Sequence, residues 1–192
     1  IAPHFPFVVP EPYFSKYYPD RVDLPEIPPG HIEDLPPAQV RLRNMFGMDH
    51  PYTDDEVMRA RGAYYGLIEW MDAKMGRFLD ALEEHGLAEN TVVIYTSDHG
   101  DSLGEHGLWR KMSMYEASSH IPIQIAWPKK LPSGVRVANP VSNVDVTATI
   151  LDLAGVDPKR WRVDGDSLVA LANGDSDSWK DYALVEHLAH GT

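Results

Sequence analysis

A short run of β-branched and aromatic residues, Thr91–Thr96, constrains the fold of this chain more than any other feature. The side chains from Val92 to Tyr95 are all apolar or aromatic, so both faces of the strand that they predict must be covered by other elements. A buried strand that follows a helix and a short turn is half of an α/β unit. The run therefore predicts an α/β fold with a mainly parallel sheet.

The segment before this strand predicts a long helix over Asp54–His85. Thr53 and Glu56 have the spacing of a capping box, apolar side chains recur at three- and four-residue steps, and Gly86 is a suitable stop. Three glycines inside the helix either weaken it or let another backbone pack closely: Gly62, Gly66 and Gly76.

Four further elements follow from the same kinds of pattern. They are a short helix around Ala38–Met45, a strand over Ile121–Trp127, a helix over Asp145–Ala154 capped by Asp145 or Asn143, and a third strand over Tyr182–Glu186.

Residues 1–52 are expected to form ordered loops that pack on a larger body. They carry most of the 16 prolines of the chain, which disfavours long helices and central strands. Aromatic side chains are interleaved with these prolines, whereas a disordered linker would have few aromatics. The α/β part of the chain is expected over residues 53–192.

Charge and composition exclude several classes of function. The formal net charge is −12 and the sequence pI is about 5.0, which argues against nucleic acid and against an anionic membrane surface as partners. The chain has no cysteine, so it offers no disulfide, thiolate metal site or thiol nucleophile. No apolar run approaches the roughly 18 residues of a membrane helix. An anionic substrate would therefore need a few local cations or a metal ion.

The densest polar cluster, Ser97–Lys111, begins where the first predicted strand ends. Ligands of open α/β sheets bind at the carboxyl ends of strands. There Asp98 and His99 could share one divalent ion, and Lys111 could hold an anionic oxygen. The alternative is an ordinary strand-ending turn followed by a solvated lysine. For Asp101 and Glu105 the favoured interpretation is solvation of this loop, and for Trp109 it is packing.

This cluster resembles the second conserved signature of the sulfatases, which belong to the alkaline-phosphatase superfamily. The resemblance rests on Thr96–Asp101 followed by Gly104–Lys111, and the Gly-Leu-Trp-x-Lys ending is most similar to choline-sulfatase-like and phosphonate-monoester-hydrolase-like members. Other segments resemble the family in the same order along the chain: Ala2–Phe7, Ala63–Gly76, Asn143–Gly155 and Glu186–Thr192.

The resemblance implies a fold and a set of site residues. The fold would be an alkaline-phosphatase-like α/β/α sandwich with a mainly parallel sheet. Asp98 and His99 would be metal ligands, while Lys111 and His4 would bind the substrate and act in catalysis. The metal would be Ca²⁺, since hard oxygen ligands dominate such sites, with Mn²⁺ or Mg²⁺ as alternatives.

The family also uses a formylglycine nucleophile, made within a Cys- or Ser-x-Pro-x-Arg motif that these 192 residues do not contain. The chain is therefore expected to be an internal fragment of a sulfatase catalytic domain, truncated at both ends, and inactive by itself. The whole protein is expected to hydrolyse sulfate esters, with a small anionic ester as substrate. Two alternatives stay open: a phosphonate monoester or phosphodiester hydrolase of the same superfamily, and a catalytically silent fragment that self-associates into a homo-oligomer.

Overall fold

The structure is a computed structural model that describes residues 2–186. The predicted resemblance over Glu186–Thr192 therefore lies, apart from Glu186, outside the described residues. Six α-helices and four strands are present in the described part, in the order α1 (Tyr13–Tyr17), α2 (Pro37–Met45), α3 (Asp54–Glu84), β1 (Val93–Thr96), β2 (Ser102–Leu103), β3 (Trp109–Arg110), α4 (Glu116–Ser119), β4 (Ile123–Ala126), α5 (Asn143–Leu153) and α6 (Val169–Ala172).

These elements belong to two compact units, each built from separate stretches of the chain. In the first unit, residues 2–85 join His99–Ile121 and contain α1 to α4 and the β2–β3 pair. The second unit consists of Gly86–Asp98 and Pro122–Glu186, and contains β1, β4, α5 and α6. The chain passes from one unit to the other after His85, after Asp98 and after Ile121.

The long helix of the first unit is confirmed. Thr53 and Glu56 form the predicted capping box, with the Thr53 amide donating to Glu56 Oε2 at 2.8 Å. The two buried glycines admit another backbone: a Cβ built on Gly66 would lie 2.8 Å from the Tyr13 carbonyl oxygen, and one on Gly62 would lie 2.9 Å from Tyr18 Cβ. The glycine faces of α3 thus seat α1 and the turn after it.

The polar cluster of the first unit is folded as a short hairpin. Strands β2 and β3 pair antiparallel, with Ser102 opposite Arg110 and Leu103 opposite Trp109. Gly104 and Gly107 have φ angles of 99° and 64° in the connecting loop, a region of backbone conformation that favours glycine. Leu103 and Leu108 are buried beneath this loop, which fixes it on the body of the unit.

The second unit contains a two-stranded sheet rather than the predicted parallel one. Strands β1 and β4 pair antiparallel, with Val93 opposite Ala126 and Thr96 opposite Ile123. Both sheets in the described residues are antiparallel, so the parallel sandwich is not confirmed. The apolar run predicted a strand covered on both faces, but in the described residues β1 has no buried residue and Tyr95 is 36% exposed. The direction of the neighbouring strand depends on the path of the chain between the two strands. The third predicted strand is wrong, because Tyr182–Glu186 has no strand structure and is exposed.

Helix α5 is held by a buried charged cluster. Its capping box is formed by Ser142, one residue before the predicted cap, with Asp145. The Asp145 side chain is fully buried and accepts from the Asp166 amide at 2.9 Å and from Lys180 Nζ at 2.6 Å. Burial alone would lower the pKa of Lys180, but its hydrogen bonds and attraction to Asp145 and Asp166 outweigh this and raise it. This pair joins the start of α5 to the end of the described chain.

Within residues 2–186, no helix is both long and apolar enough to cross a membrane.

Candidate functional site

His4 and Lys111 come together in the first unit, although 107 positions separate them in the sequence. Lys111 Nζ lies 2.7 Å from His4 Nε2, and His4 Nδ1 lies 2.6 Å from the carbonyl oxygen of Phe5. A carbonyl oxygen only accepts, so Nδ1 carries the proton, and in the neutral ring Nε2 accepts from the lysine. The pair thus presents a cation and an imidazole at one exposed point of the unit.

His99 lies next to this pair. Its ring centroid is 6.4 Å from that of His4, and its Nδ1 lies 2.6 Å from the carbonyl oxygen of Gly100. The same reasoning puts the proton on Nδ1, which leaves Nε2 as the nitrogen whose lone pair could bind a metal ion. A backbone carbonyl that fixes the tautomer in this way is a usual second partner of a metal-binding histidine.

Gly100 holds the His99 turn against α4. Its amide donates to the Ser118 carbonyl oxygen at 2.7 Å, and a Cβ at this position would lie 2.1 Å from the Ala117 carbonyl oxygen. Any side chain at residue 100 would push the turn away from α4. Glycine is needed at this position for close approach and not for an unusual φ angle.

The backbone around Lys111 is fixed from two sides. The Ser118 hydroxyl donates to the Lys111 carbonyl oxygen, and Arg110 has a φ angle of 72°, which for a residue other than glycine is a strained conformation. The Arg110 guanidinium lies 4.5 Å from the ring centroid of Phe5, an attractive cation–π contact. The positive φ angle turns the chain as it leaves β3 and sets the direction of Lys111.

Asp101 lies near the predicted site residues of the first unit. Its Oδ1 atom is buried and has no hydrogen-bond partner among residues 2–186. Burial raises the pKa of this carboxyl, while the Arg110 amide and electrostatic interactions with His99, Lys111 and His4 act in the opposite direction. Asp101 is therefore a half-buried acid within electrostatic reach of the three predicted site residues of this unit, and the preference for loop solvation is wrong for it.

Glu105 is bound to the body of the unit by a buried arginine. Arg61 is 5% exposed, and its Nη1 donates to Glu105 Oε1 at 2.6 Å and to the Leu103 carbonyl oxygen at 3.0 Å. Glu105 Oε2 accepts from the Leu103 amide at 2.6 Å. Loop solvation was therefore also wrong for Glu105. The sequence held no signal for its partner, which lies 44 positions away.

His106, in the hairpin loop, packs against an aromatic ring. It stacks on Tyr115 with ring centroids 3.8 Å apart, and its Nδ1 lies 2.8 Å from His31 Nε2. Burial lowers the pKa of His106, and the neighbouring His31 lowers it further. The pair closes the outer side of the hairpin loop.

Asp98, the remaining predicted site residue, lies at the end of β1 in the second unit. It is exposed, and the chain just before it is tied to α5 because Asn143 Nδ2 donates to the Ser97 carbonyl oxygen at 2.8 Å. The Thr96 hydroxyl adds a contact to Asn143 Oδ1 at 3.1 Å. The start of α5 thus fixes the backbone immediately before Asp98.

The donor set in the chain fits a metal ion only in part. Asp98 supplies a carboxylate and His99 an imidazole nitrogen, but among residues 2–186 no three histidine or acidic side chains come together as a metal-binding group. A Ca²⁺ ion takes six to eight oxygen ligands, so these two side chains would be a minority of its shell. The assignment of Asp98 and His99 as metal ligands stays a prediction.

The chain belongs to the sulfatase family. The family model for sulfatases matches residues 1–156, which include every predicted site residue and the whole β2–β3 hairpin. The fold is that of the sulfatases and alkaline-phosphatase-like proteins.

The known proteins that are similar to the chain include sulfatases and a phosphonate monoester hydrolase. It is 36% identical over 177 residues to a choline-sulfatase of Rhizobium meliloti (strain 1021), an alignment that covers 90% of the chain and 34% of that protein. It is 39% identical over 145 residues to arylsulfatase K of Danio rerio, covering 70% of the chain and 27% of that protein. Among solved structures, a phosphonate monoester hydrolase from Silicibacter pomeroyi superposes with a TM-score of 0.86 at 31% identity, over 95% of the chain and 38% of that structure.

The chain thus spans about a third of the length of the curated relatives it matches. The 192 residues hold no cysteine and no Ser-x-Pro-x-Arg sequence, so they contain no precursor of a formylglycine nucleophile.

Proposed function

We propose that the whole protein hydrolyses sulfate esters, and that this chain supplies the part of the active site that binds the sulfate group and its leaving oxygen. The observation that carries the proposal is the 2.7 Å contact between His4 Nε2 and Lys111 Nζ. Two residues chosen from separate sequence motifs meet at one point. Membership of the sulfatase family and similarity to a choline-sulfatase support the reaction class.

Lys111 is suited to hold a sulfate oxygen. Its ammonium group is a compact cation with three donors, and one donor directed at His4 leaves the other two for the substrate. Negative charge grows on the sulfate oxygens and on the leaving oxygen as the ester bond breaks. A fixed cation at that place stabilises the transition state more than the ground state.

His4 is suited to give a proton to the leaving oxygen. The neutral ring accepts from Lys111 through Nε2, so it must take up a second proton before it can donate. The Phe5 carbonyl oxygen holds the Nδ1 proton, so a proton would pass through Nε2, which must first exchange its contact with Lys111 for one with the leaving oxygen.

A metal ion bound by Asp98 and His99 would add positive charge beside the sulfate oxygens. Ca²⁺ is the favoured ion because the ligands of such a site are mainly hard oxygens, with Mn²⁺ and Mg²⁺ as alternatives. A formylglycine nucleophile would have to come from residues outside this chain.

The proposal is tested with a chromogenic aryl sulfate and the purified whole protein. Lys111→Met and His4→Ala should each lower kcat/KM by about a hundredfold or more, while Lys129→Met, at an exposed lysine of the second unit, should leave it unchanged. Equal turnover by Lys111→Met and the parent protein would exclude Lys111 as a substrate-binding residue. Absence of turnover by the parent protein with every sulfate ester tried would refute the proposed reaction.

Hydrolysis of phosphonate monoesters is the second candidate, because the Silicibacter pomeroyi structure of that name superposes over 95% of the chain. The same cation and imidazole suit either tetrahedral anion. An aryl phosphonate monoester with the same leaving phenol, assayed beside the aryl sulfate, separates the two. A higher kcat/KM for the phosphonate would make it the preferred substrate class.

A further inference from the structure

The first unit contains a cavity of about 330 Å³ that none of His4, His99 and Lys111 lines. Its volume lies at the lower end of the range for small-molecule sites. The residues around it come from the proline-rich segment, from the end of α2, from the start of α3 and from the β2–β3 hairpin. We propose that this cavity binds a small aromatic anion, with Arg43 holding the acidic group and Tyr52 and Trp109 contacting the ring.

Arg43 gives the cavity its charge. The arginine is half-buried, and its one hydrogen bond among the described residues runs from Nη2 to the Met48 carbonyl oxygen at 3.4 Å. No carboxylate in residues 2–186 is paired with it. Arg61, in the same unit, donates to two carboxylates. A half-buried guanidinium without a counter-ion is a site for an anion brought by a ligand, with which it can form strong charge-assisted hydrogen bonds.

Two aromatic rings give the cavity its apolar wall. Tyr52 and Trp109 meet edge to face with ring centroids 5.7 Å apart, and Tyr52 is 44% exposed. A planar ring inserted beside them would bury aromatic surface in the same offset or edge-to-face geometry. The aliphatic side chains of Ile32 and Val57 extend this wall.

The hairpin glycines keep the cavity open. A Cβ built on Gly107 would lie 2.3 Å from Ile32 Cδ1 and 3.6 Å from Arg43 Cζ, so any side chain there would enter the space beside the guanidinium. Gly104 is also part of the lining, and its φ of 99° favours glycine.

Asp54 also lines the cavity, and its charge has to be weighed against that of Arg43. Asp54 is exposed at the first residue of α3, where water and the free amides of the helix terminus screen and balance a carboxylate. Arg43 is the more buried of the two charges and has no partner of opposite sign, so its field is the less screened. The cavity is expected to prefer anions to cations.

The ligand pair 2-naphthalenesulfonate and 2-naphthol tests the proposal by calorimetric titration of the whole protein. The two compounds share a ring system and differ in charge. The sulfonate should bind at least about tenfold more tightly. A cationic naphthyl ammonium compound should bind more weakly than either. Equal affinity for sulfonate and naphthol, or tighter binding of the cation, would overturn the proposal without any mutation.

Variants then assign the charge to Arg43. Arg43→Met should weaken sulfonate binding about tenfold or more, Arg43→Lys should retain most of it, and Arg41→Met, at an exposed arginine of the same helix, should have no effect. In the Lys111→Met protein, where the proposed sulfate site has lost its cation, the dependence of sulfonate binding on Arg43 should persist, which separates this cavity from that site. Loss of sulfonate binding in Lys111→Met, with Arg43→Met unaffected, would place the anion at the sulfate site and overturn the assignment.

Discussion

Arg61 Nη1 lies 2.6 Å from Glu105 Oε1, and this ion pair joins the N-terminal part of α3 to the loop of the β2–β3 hairpin. The same guanidinium donates to Tyr65 Oη at 2.9 Å and to Asp23 Oδ1 at 3.3 Å. One buried cation therefore ties together the proline-rich segment, the long helix and the hairpin that leads to Lys111.

Replacing Glu105 with Gln should destabilise the protein at neutral pH by about 1–3 kcal/mol, because it removes the charge that pairs with Arg61. This loss of unfolding free energy is smaller than for a fully buried ion pair, because the Glu105 side chain is 34% exposed. The free energy of unfolding from urea titration measures it. Glu83→Gln, at an exposed position near the end of α3, is the control and should change little.

The contribution of Glu105 should also depend on pH. Burial acts to raise the pKa of Glu105, but hydrogen bonds from Arg61 and from the Leu103 amide outweigh it and hold the pKa below its usual value. A lowered folded-state pKa gives stability that is fully present above the unfolded pKa, about 4.3, and is lost as the pH falls through the folded value. The stability difference between the parent and Glu105→Gln should therefore be constant from pH 6 to 8 and shrink below about pH 4. A difference that grows on acidification would contradict the assignment.

Two glycines of α3 should respond in opposite ways to alanine. Gly66→Ala places a Cβ 2.8 Å from the Tyr13 carbonyl oxygen and should destabilise the protein by about 1–3 kcal/mol through overpacking. Gly76→Ala meets nothing within 4 Å and should stabilise it by roughly 0.5–1 kcal/mol, since alanine loses less backbone entropy in a helix. Urea unfolding midpoints measure both changes. A loss of stability in Gly76→Ala equal to that in Gly66→Ala would mean that close packing is not what distinguishes them.

The Asp145–Lys180 pair should be a main source of stability in the second unit. Lys180→Met leaves the fully buried Asp145 carboxylate with backbone donors only and should cost about 2–4 kcal/mol. The exposed Lys159 of the same unit provides the control variant Lys159→Met. Thermal and urea unfolding followed by circular dichroism would show the difference, and equal stability of the two variants would refute a structural role for the pair.

Ser118 should affect activity through the position of Lys111. Its hydroxyl donates to the Lys111 carbonyl oxygen, so Ser118→Ala should lower kcat/KM for an aryl sulfate about five- to tenfold. Ser119→Ala also loses hydrogen bonds to backbone carbonyls, those of Met114 and Tyr115, but has no contact with Lys111 and should be near the parent. A pH profile of unchanged shape in Ser118→Ala would agree with a positioning role, whereas a shifted profile would indicate that the hydroxyl takes part in proton transfer.

Local patterns in the sequence were sufficient for the main helices and for two of the strands. The capping box at Thr53 and Glu56, the glycines that admit α1 and the apolar runs of β1 and β4 each depend on residues within a few positions of one another. Helix α1 was not predicted, because its five residues lie between prolines and are too short to show a period. The relative direction of β1 and β4 was not predictable either, since an apolar strand has the same sequence pattern beside a parallel or an antiparallel neighbour.

The sequence by itself carried the family signature. Residue type and position after one strand suggested Asp98, His99 and Lys111, and His4 was added only by the resemblance to the sulfatases. Tertiary structure alone decided that His4 meets Lys111 across 107 positions, that Arg61 anchors Glu105, and that Arg43 is left without a counter-ion beside two aromatic rings. The physical reason is that charge pairing, burial and cavities depend on contacts between segments distant along the chain. Patterns within a short segment of the sequence do not predict those contacts.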